Sequence, residues 1–368
     1  MIAVLGECVA DAFTDHRPAD PPVRRAGGPA GGRTGGSENG PAGGPEDGPA
    51  GGPASGPASG PASGPAGGPG ARPVGMALRV LPGGGPANTA VALARLGTAA
   101  RFLGRLSHDV FGDLFRAHLT SSGVDLSAAV AAGELSTLAV AALDADGRAV
   151  YTFYADGTAD WGWTPDELDG DRLGPASCLH TGSLALVRRP GGEAVEEFAR
   201  AVRSRATVSI DPNVRPGFAT RDDYRVERWC AWSDILKLST DDVDFLLPGV
   251  PYERACDTWH AAGARLVVVT KGAAGALISL DGERAEVPAP RVRVVDTVGA
   301  GDAFTAGLLH DLEARGLLGG RLDALDLETA VAAATFAAEV AALTCSVPGA
   351  DPPWRDRLTG RRSSGPAR

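Results

Sequence analysis

The chain predicts an α/β fold built on a mostly parallel central sheet, and three stretches carry that expectation. From residue 173 onward, strand-length apolar runs alternate with helical runs: SCLHTGSLAL, GGEAVEEFARAVRSR, TVSIDPNVRP and DILKLSTDDVDFL follow one another. Such alternation puts helices on both faces of a parallel sheet. The N-terminus opens on IAVLG (residues 2–6), an apolar run of strand length. Residues 291–310, RVRVVDTVGAGDAFTAGLLH, join alternating Val and Arg, read as a short strand, to a glycine turn and then a helix of small apolar residues.

Composition narrows the classes of function. The chain has 368 residues, a net charge of −10 and a pI near 5.1, which argues against nucleic acid as a partner. Its 51 glycines and 28 prolines are concentrated in residues 17–75, where GPAS repeats run with a period of four rather than the three of collagen. That stretch lacks the apolar bulk to form a core and is expected to be a disordered insertion, with residues 361–368 a disordered tail. What remains, about 310 residues, suits one α/β domain with a small appendage over 1–360. The cysteines (Cys8, Cys178, Cys230, Cys256, Cys345) form no CxxC and no zinc spacing, so reduced thiols in a cytoplasmic protein are expected. No run approaches the ~20 apolar residues of a membrane helix. The N-terminus lacks a basic region and is interrupted by Glu7 and Asp11, unlike a signal peptide.

Taken in order, the elements bring polar residues to strand ends, where ligands of open α/β sheets bind. Asp11 lies beyond the first strand, as a ligand group or a solvated loop acid. MALRVL (76–81) resumes as a strand, and PGGGPANTAVALARLG turns through Gly83, Gly84 and Gly85 into a helix. In that helix Pro86 suits the first turn, Ala90, Leu93, Ala94 and Leu96 form the buried stripe, and Gly97 ends it. LAVAALD and RAVYTFY flank Asp146-Gly147, a hairpin signal over 138–154. His180 follows an apolar run and suits a packed core position. Asp211, Asn213 and Arg215 (DPNVRP) face the same end of the sheet, although Asp-Pro-Asn also favours a turn by itself. ARLVVVTKGAAGALISL gives two strands around a glycine turn. In GAGD, Gly299, Ala300 and Gly301 sit at a helix N-terminus, whose free N–H groups favour an anion. Asp302 is either a helix cap or a carboxylate poised to take a proton from a hydroxyl attacking a phosphoryl group there.

DTVGAGDAFTAG resembles the C-terminal signature of the PfkB/ribokinase family of carbohydrate kinases, and GG-x-x-A-N-x-A followed by FLGRLSHDVFGD resembles the N-terminal one. DPNVRP and FYADGTAD resemble the fructokinase-like branch, although Ala155 stands where related sequences often have Arg. The resemblance implies a ribokinase-like three-layer fold with a small β lid formed by strands near 12–16, 76–82 and 138–155. It implies Asp302 as catalytic base and Gly299, Ala300 and Gly301 as anion hole. Asp11, Gly83, Gly84, Asn88, Asp211, Asn213 and Arg215 would contact the sugar. Lys237, Ser239, Thr270, Gly272, Gly275 and Gly349 would lie along the nucleotide. Asp242 would sit near the magnesium–phosphate site, where an ordinary helix-start acid is the competing reading, and Asp296 beside a monovalent cation. The expected reaction is phosphoryl transfer from ATP, with Mg2+ and an accessory K+, to a sugar hydroxyl, with fructose to fructose 6-phosphate as the specific expectation. Ribose, 2-keto-3-deoxygluconate and adenosine are alternative acceptors. A non-catalytic sugar-binding regulator is an alternative class, which the intact Asp302 argues against. GxxxxGK[ST] is absent, and no GxGxxG follows the first strand, so a P-loop or dinucleotide enzyme is not expected. The family lid also implies a homodimer.

Overall fold

The computed structural model describes residues 1–14, 76–143 and 149–362. The insertion expected at 17–75 and residues 363–368 of the expected tail lie outside the described residues. The first strands are β1 (Ile2–Leu5), β2 (Val9–Thr14), β3 (Leu78–Gly83), β4 (Ala100–Leu103) and β5 (Arg105–Ser107). Then come β6 (Val130–Ala132), β7 (Leu138–Leu143), β8 (Ala149–Tyr154), β9 (Cys178–Gly182) and β10 (Thr207–Asp211). The last are β11 (Ile235–Ser239), β12 (Leu266–Thr270), β13 (Ala276–Leu280) and β14 (Glu283–Val287). The helices are α1 (Gly85–Leu96), α2 (Val110–Ser121), α3 (Gly192–Val202), α4 (Val226–Cys230) and α5 (Thr240–Leu246). They continue with α6 (Tyr252–Ala262), α7 (Ala300–Ala314), α8 (Leu327–Thr344) and α9 (Arg355–Arg362).

Eight strands form the central sheet in the order β14-β13-β12-β11-β10-β9-β1-β4. Pairing is parallel from β4 to β12 and antiparallel only for β13 and β14 at one edge. Strand alternation explains the layers. Ile2 and Val4 of β1, with Leu266 and Val268 of β12, face a core shared with α1, α7 and α8. Ala3 and Leu5, with Val267 and Val269, face the opposite core, shared with α3, α4 and α6. Strands buried on both faces read as continuous apolar runs, which is why IAVL and LVVV are legible as strands.

A second sheet, ordered β3-β2-β7-β8, forms the lid. Its first strand begins at Val9, ahead of the expected 12–16, because Val9 already pairs with Gly83; residues 15 and 16 lie outside the described residues. β7 and β8 pair antiparallel, as the hairpin pattern predicts, with Leu138 opposite Tyr154; the turn expected at Asp146-Gly147 lies outside the described residues.

Two expectations need correction. Residues 291–295 do not form a strand. Pro288 and Pro290 break the ladder after β14, and Val294 and Val295 are exposed. Instead, the N–H groups of Val295 and Asp296 bond to the Cys345 carbonyl. Second, α8 is long and apolar enough, by length and composition, to cross a membrane. Its alanine stripe (Ala330, Ala333, Ala334, Ala337) is packed in the core, where Gly307 of α7 meets Ala337 so closely that a Cβ would lie 2.7 Å from its Cα.

Candidate active site

At the carboxyl ends of β1, β9, β10 and β11, under the lid, lies a cavity of about 510 Å³. It brings together Asp11, Gly84, Asn88, Asn213, Arg215, Lys237, Gly299, Gly301 and Asp302 of the residues singled out in the sequence. Glu7, Gly85, Thr137, Phe153, Trp161, Ser183 and Phe218 complete its wall, and the sequence motifs did not point to them.

The turn before α7 sets the geometry. Gly299 caps the helix at φ +76°, a left-handed conformation that favours glycine, and a Cβ there would lie 2.6 Å from the Ala350 Cβ. No side chain caps this end, and the Ala300 N–H turns back to the Thr297 carbonyl. The positive end of the helix dipole therefore faces the cavity. Lys237 adds to it: its Nζ lies 3.0 Å from where a Gly301 Cβ would sit. The buried Lys237 also donates to Asp211 Oδ2 at 2.7 Å. Burial works against the ammonium, but the Asp211 carboxylate more than offsets it and holds the Lys237 pKa above its ordinary value. Asp211 itself lies beneath the cavity wall, beside a water-sized void shared with His180 and Asp302. His180 is the packed core histidine expected: it shares a hydrogen bond with Ser209 Oγ, and burial pushes it down to about 3.

Asp302 stands in the first turn of α7. Its Oδ2 accepts from Asn88 Nδ2 at 2.9 Å, which ties α1 to α7 across the site. Burial holds the carboxyl above the ordinary range, against the pull of Asn88 and Lys237. Gly83 and Gly85 make room for the acids. A Cβ at Gly83 would lie 2.0 Å from Asp11 Oδ2, and one at Gly85 would lie 3.1 Å from Asp302 Oδ1 and 2.7 Å from Asn213 Nδ2. Asp11 is pushed up to about 6, by burial first, with Arg215 opposing and Asp302 adding to it. Deeper in, Asp160 accepts from Thr137 Oγ1 at 2.6 Å and from the Cys8 N–H at 2.9 Å, and burial raises it to about 6. Ala155 is buried and brings no charge.

The remaining motif residues do not line the cavity; they organise the backbone around it. Ser239 caps α5 in a reciprocal box with Asp242, whose Oδ2 accepts from Ser239 N and Oγ and whose Oδ1 accepts from Val214 N. Thr270 donates to the Leu238 carbonyl, and Gly272 and Gly275 turn the chain from β12 into β13. Asp296 accepts from Val298 N and from Gly349 N, tying the loop before α7 to the one after α8. Glu7, Asp160 and Trp161 were given no role at the site: Asp160 ends the FYADGTAD stretch, but it meets the first loop only across more than a hundred residues, and Glu7 and Trp161 belong to no motif named above. The signal available was Glu7 itself, an acid interrupting an otherwise apolar N-terminus.

Residues 69–357 match the pfkB family of carbohydrate kinases. The fructokinase of Rhizobium leguminosarum bv. trifolii is 38% identical over 239 residues, covering 64% of this chain and 73% of that protein. Among solved structures, fructokinase with bound ATP from Xylella fastidiosa superposes with a TM-score of 0.75 at 24% identity, over 99% of each chain. Fructokinase from Vibrio cholerae O395, in its fructose-, ADP- and calcium-bound form, gives 0.69 at 23% identity, over 95% of this chain and 94% of that one. These neighbours share the ribokinase-like fold, and the extent of the family match together with the Rhizobium relative places this chain in the pfkB family of carbohydrate kinases.

Proposed function

We propose that this carbohydrate kinase transfers the γ-phosphoryl group of ATP to fructose, giving fructose 6-phosphate and ADP. The observation that carries the reading is Asp302: a desolvated carboxylate in the first turn of α7, held by Asn88, facing a cavity beneath the lid. In this reading Asp302 takes the proton of the 6-hydroxyl as its oxygen bonds to the γ-phosphorus. The bond from that phosphorus to the bridging oxygen breaks, and ADP leaves with the electron pair. The N-terminus of α7 and the Lys237 ammonium stabilise the charge on the transferring group. The raised pKa of Asp302 strengthens its carboxylate as a base. Asp11, Asn88, Asn213 and Arg215 hold the other hydroxyls, and the lid excludes water as a competing acceptor. The fructokinase relative at 38% identity supports the choice of acceptor.

The donor enters as its Mg2+ complex. Among the described residues no three His, Cys, Asp or Glu side chains converge on one point. The Asp242 oxygens are engaged and the residue is 6% exposed, which does not fit a direct ligand. Phosphate oxygens and water would supply its coordination, as Mg2+ prefers, and the metal would offset charge on the phosphates. Each Asp296 oxygen accepts one N–H and keeps a lone pair, which fits an accessory K+. The exposed Phe13, Leu78 and Tyr154 on the lid strands would meet a second copy in a lid-paired homodimer.

The test is a coupled assay of ADP release with fructose, ribose, 2-keto-3-deoxygluconate and adenosine as acceptors, with Asp302→Asn alongside. Fructose-dependent turnover that falls by about a thousandfold in the variant is expected. Turnover with another acceptor and none with fructose overturns the choice of sugar, and equal turnover by the variant overturns the base.

A further inference from the structure

One carboxyl group in the cavity wall has no part in the chemistry above. Glu7 follows β1, lines the cavity and is only 3% exposed. Its carboxyl is held by the Ser183 side chain, which also lines the cavity. Its Oε2, however, is buried with no hydrogen-bond partner among the described residues. The neighbouring acids are not left in this state: Asp160 accepts from Thr137 and Cys8, and Asp302 accepts from Asn88. A buried acceptor without a donor is costly, and a native site keeps one where a ligand supplies the missing partner.

We propose that Glu7 Oε2 binds a hydroxyl of the acceptor other than the one phosphorylated, and so selects a neutral polyol that carries a hydroxyl at that point. The inference rests on the acceptor reading above. The two carboxyls have different surroundings. Asp302 stands in the first turn of α7 and is held by Asn88 of α1, whereas Glu7 follows β1 and meets Ser183, which follows β9; Arg215 influences both. Glu7 therefore serves a different part of the bound molecule, where contact is made equally before and during transfer and shows in KM rather than in kcat. Burial raises Glu7 to about 7, so at neutral pH both protonation states are populated. A hydroxyl both donates and accepts, so it pairs with either form. A carboxylate or phosphate substituent at that point would face the ionised form of Glu7, with Arg215 as the guanidinium left to offset it.

The experiment is a set of double-mutant cycles on the full-length protein, crossing Glu7→Ala and Glu7→Gln with a series of singly deoxygenated fructoses. Glu7→Ala is expected to raise the fructose KM about tenfold or more while kcat and the ATP KM stay within about twofold. One deoxy sugar should lose about as much with the native protein and lose little more with Glu7→Ala, whereas the others should show additive losses. If Glu7→Ala does not fold, Glu7→Gln, which keeps the size of the side chain, takes its place in the same cycles. A penalty that is equal for every sugar assigns Glu7 a purely structural role and overturns the proposal, as does an unchanged fructose KM. If the native protein phosphorylates no sugar, the phosphotransfer reading fails on its own. The same cycles read by calorimetric binding of fructose and its deoxy forms then decide on Glu7.

Discussion

On the lid side of the cavity and in the first turn of α7, burial raises Glu7, Asp11, Asp160 and Asp302 above their ordinary pKa values. On the β11–β14 side, Asp242 and Asp296 spend their oxygens on backbone N–H groups and a serine hydroxyl. The first set is desolvated ahead of a ligand, at a cost to the empty protein. The second set shapes loops at no such cost. The comparison teaches that acids in one set of motifs do two kinds of work, and that what surrounds their oxygens tells them apart: the cavity and its immediate support in the first set, backbone N–H groups of the neighbouring loops in the second. Stability given up at a binding wall is the usual exchange for function.

The sharpest way to break this comparison is Asp242→Ala. Removing the carboxylate leaves the Val214 N–H buried without a partner and removes the return half of the capping box at α5, the bonds accepted from Ser239 N and Oγ. A loss of about 2–4 kcal/mol of stability is expected, measured by urea unfolding. If stability is unchanged and the ATP KM rises instead, Asp242 belongs with the ligand-facing acids and the division fails.

A second, somewhat smaller effect tests the lid-side acids through pH. Glu7 moves from 4.5 to about 7 on folding. Between those values the folded protein binds more protons than the unfolded chain, so this group's contribution falls as pH rises through the window. His180, lowered to about 3, acts with the opposite sign below its ordinary 6.5, so the absolute stability profile mixes the two. The difference between Glu7→Gln and the native protein isolates Glu7. It should shift in favour of the variant by about 2–3 kcal/mol from pH 4.5 to 8, read from urea midpoints. A flat difference would mean that Glu7 is not desolvated, and the contrast between the two sides would lose its main member.

The sequence made the mostly parallel sheet, the hairpin over 138–154 and the glycine turn before α7 legible, because each is encoded locally: apolar runs, two alternating runs, and GAG before a small-residue helix. The cavity wall was only half legible. Asp11, Asn88 and Asp302 sit in motifs, but Glu7 gains its meaning from Asp160 and Ser183, which approach only when β9 and the loop after β8 pack beside β1. Gly85 was passed over for Gly83 and Gly84, since only coordinates reveal which glycine abuts Asp302. The strand expected at 291–295 followed a Val/Arg alternation that, with prolines before it, faces solvent instead. For Asp242 the S-x-x-D capping spacing from Ser239 was present all along, and it competes with the metal reading on equal terms until the hydrogen bonds are seen.

The smallest effect lies on the open side. Val294, Val295 and Val298 are 60%, 52% and 44% exposed and flank the N-terminus of α7. We propose that Val294 and Val295, with Val298 at the cavity rim, offer an apolar surface to the flat face of a nucleotide base, next to the turn that would hold its phosphates. Val295 is the cleanest to change, because its backbone N–H, bonded to the Cys345 carbonyl, survives the loss of the side chain. Val295→Ser should therefore alter stability by less than about 0.5 kcal/mol, as is usual at the surface. It should raise the ATP KM by about two- to threefold, the value of part of one exposed apolar contact, and leave the fructose KM untouched. A change in the fructose KM with none in the ATP KM would show that the acceptor reaches this surface, and the assignment of the two sides of the cleft would have to be reversed.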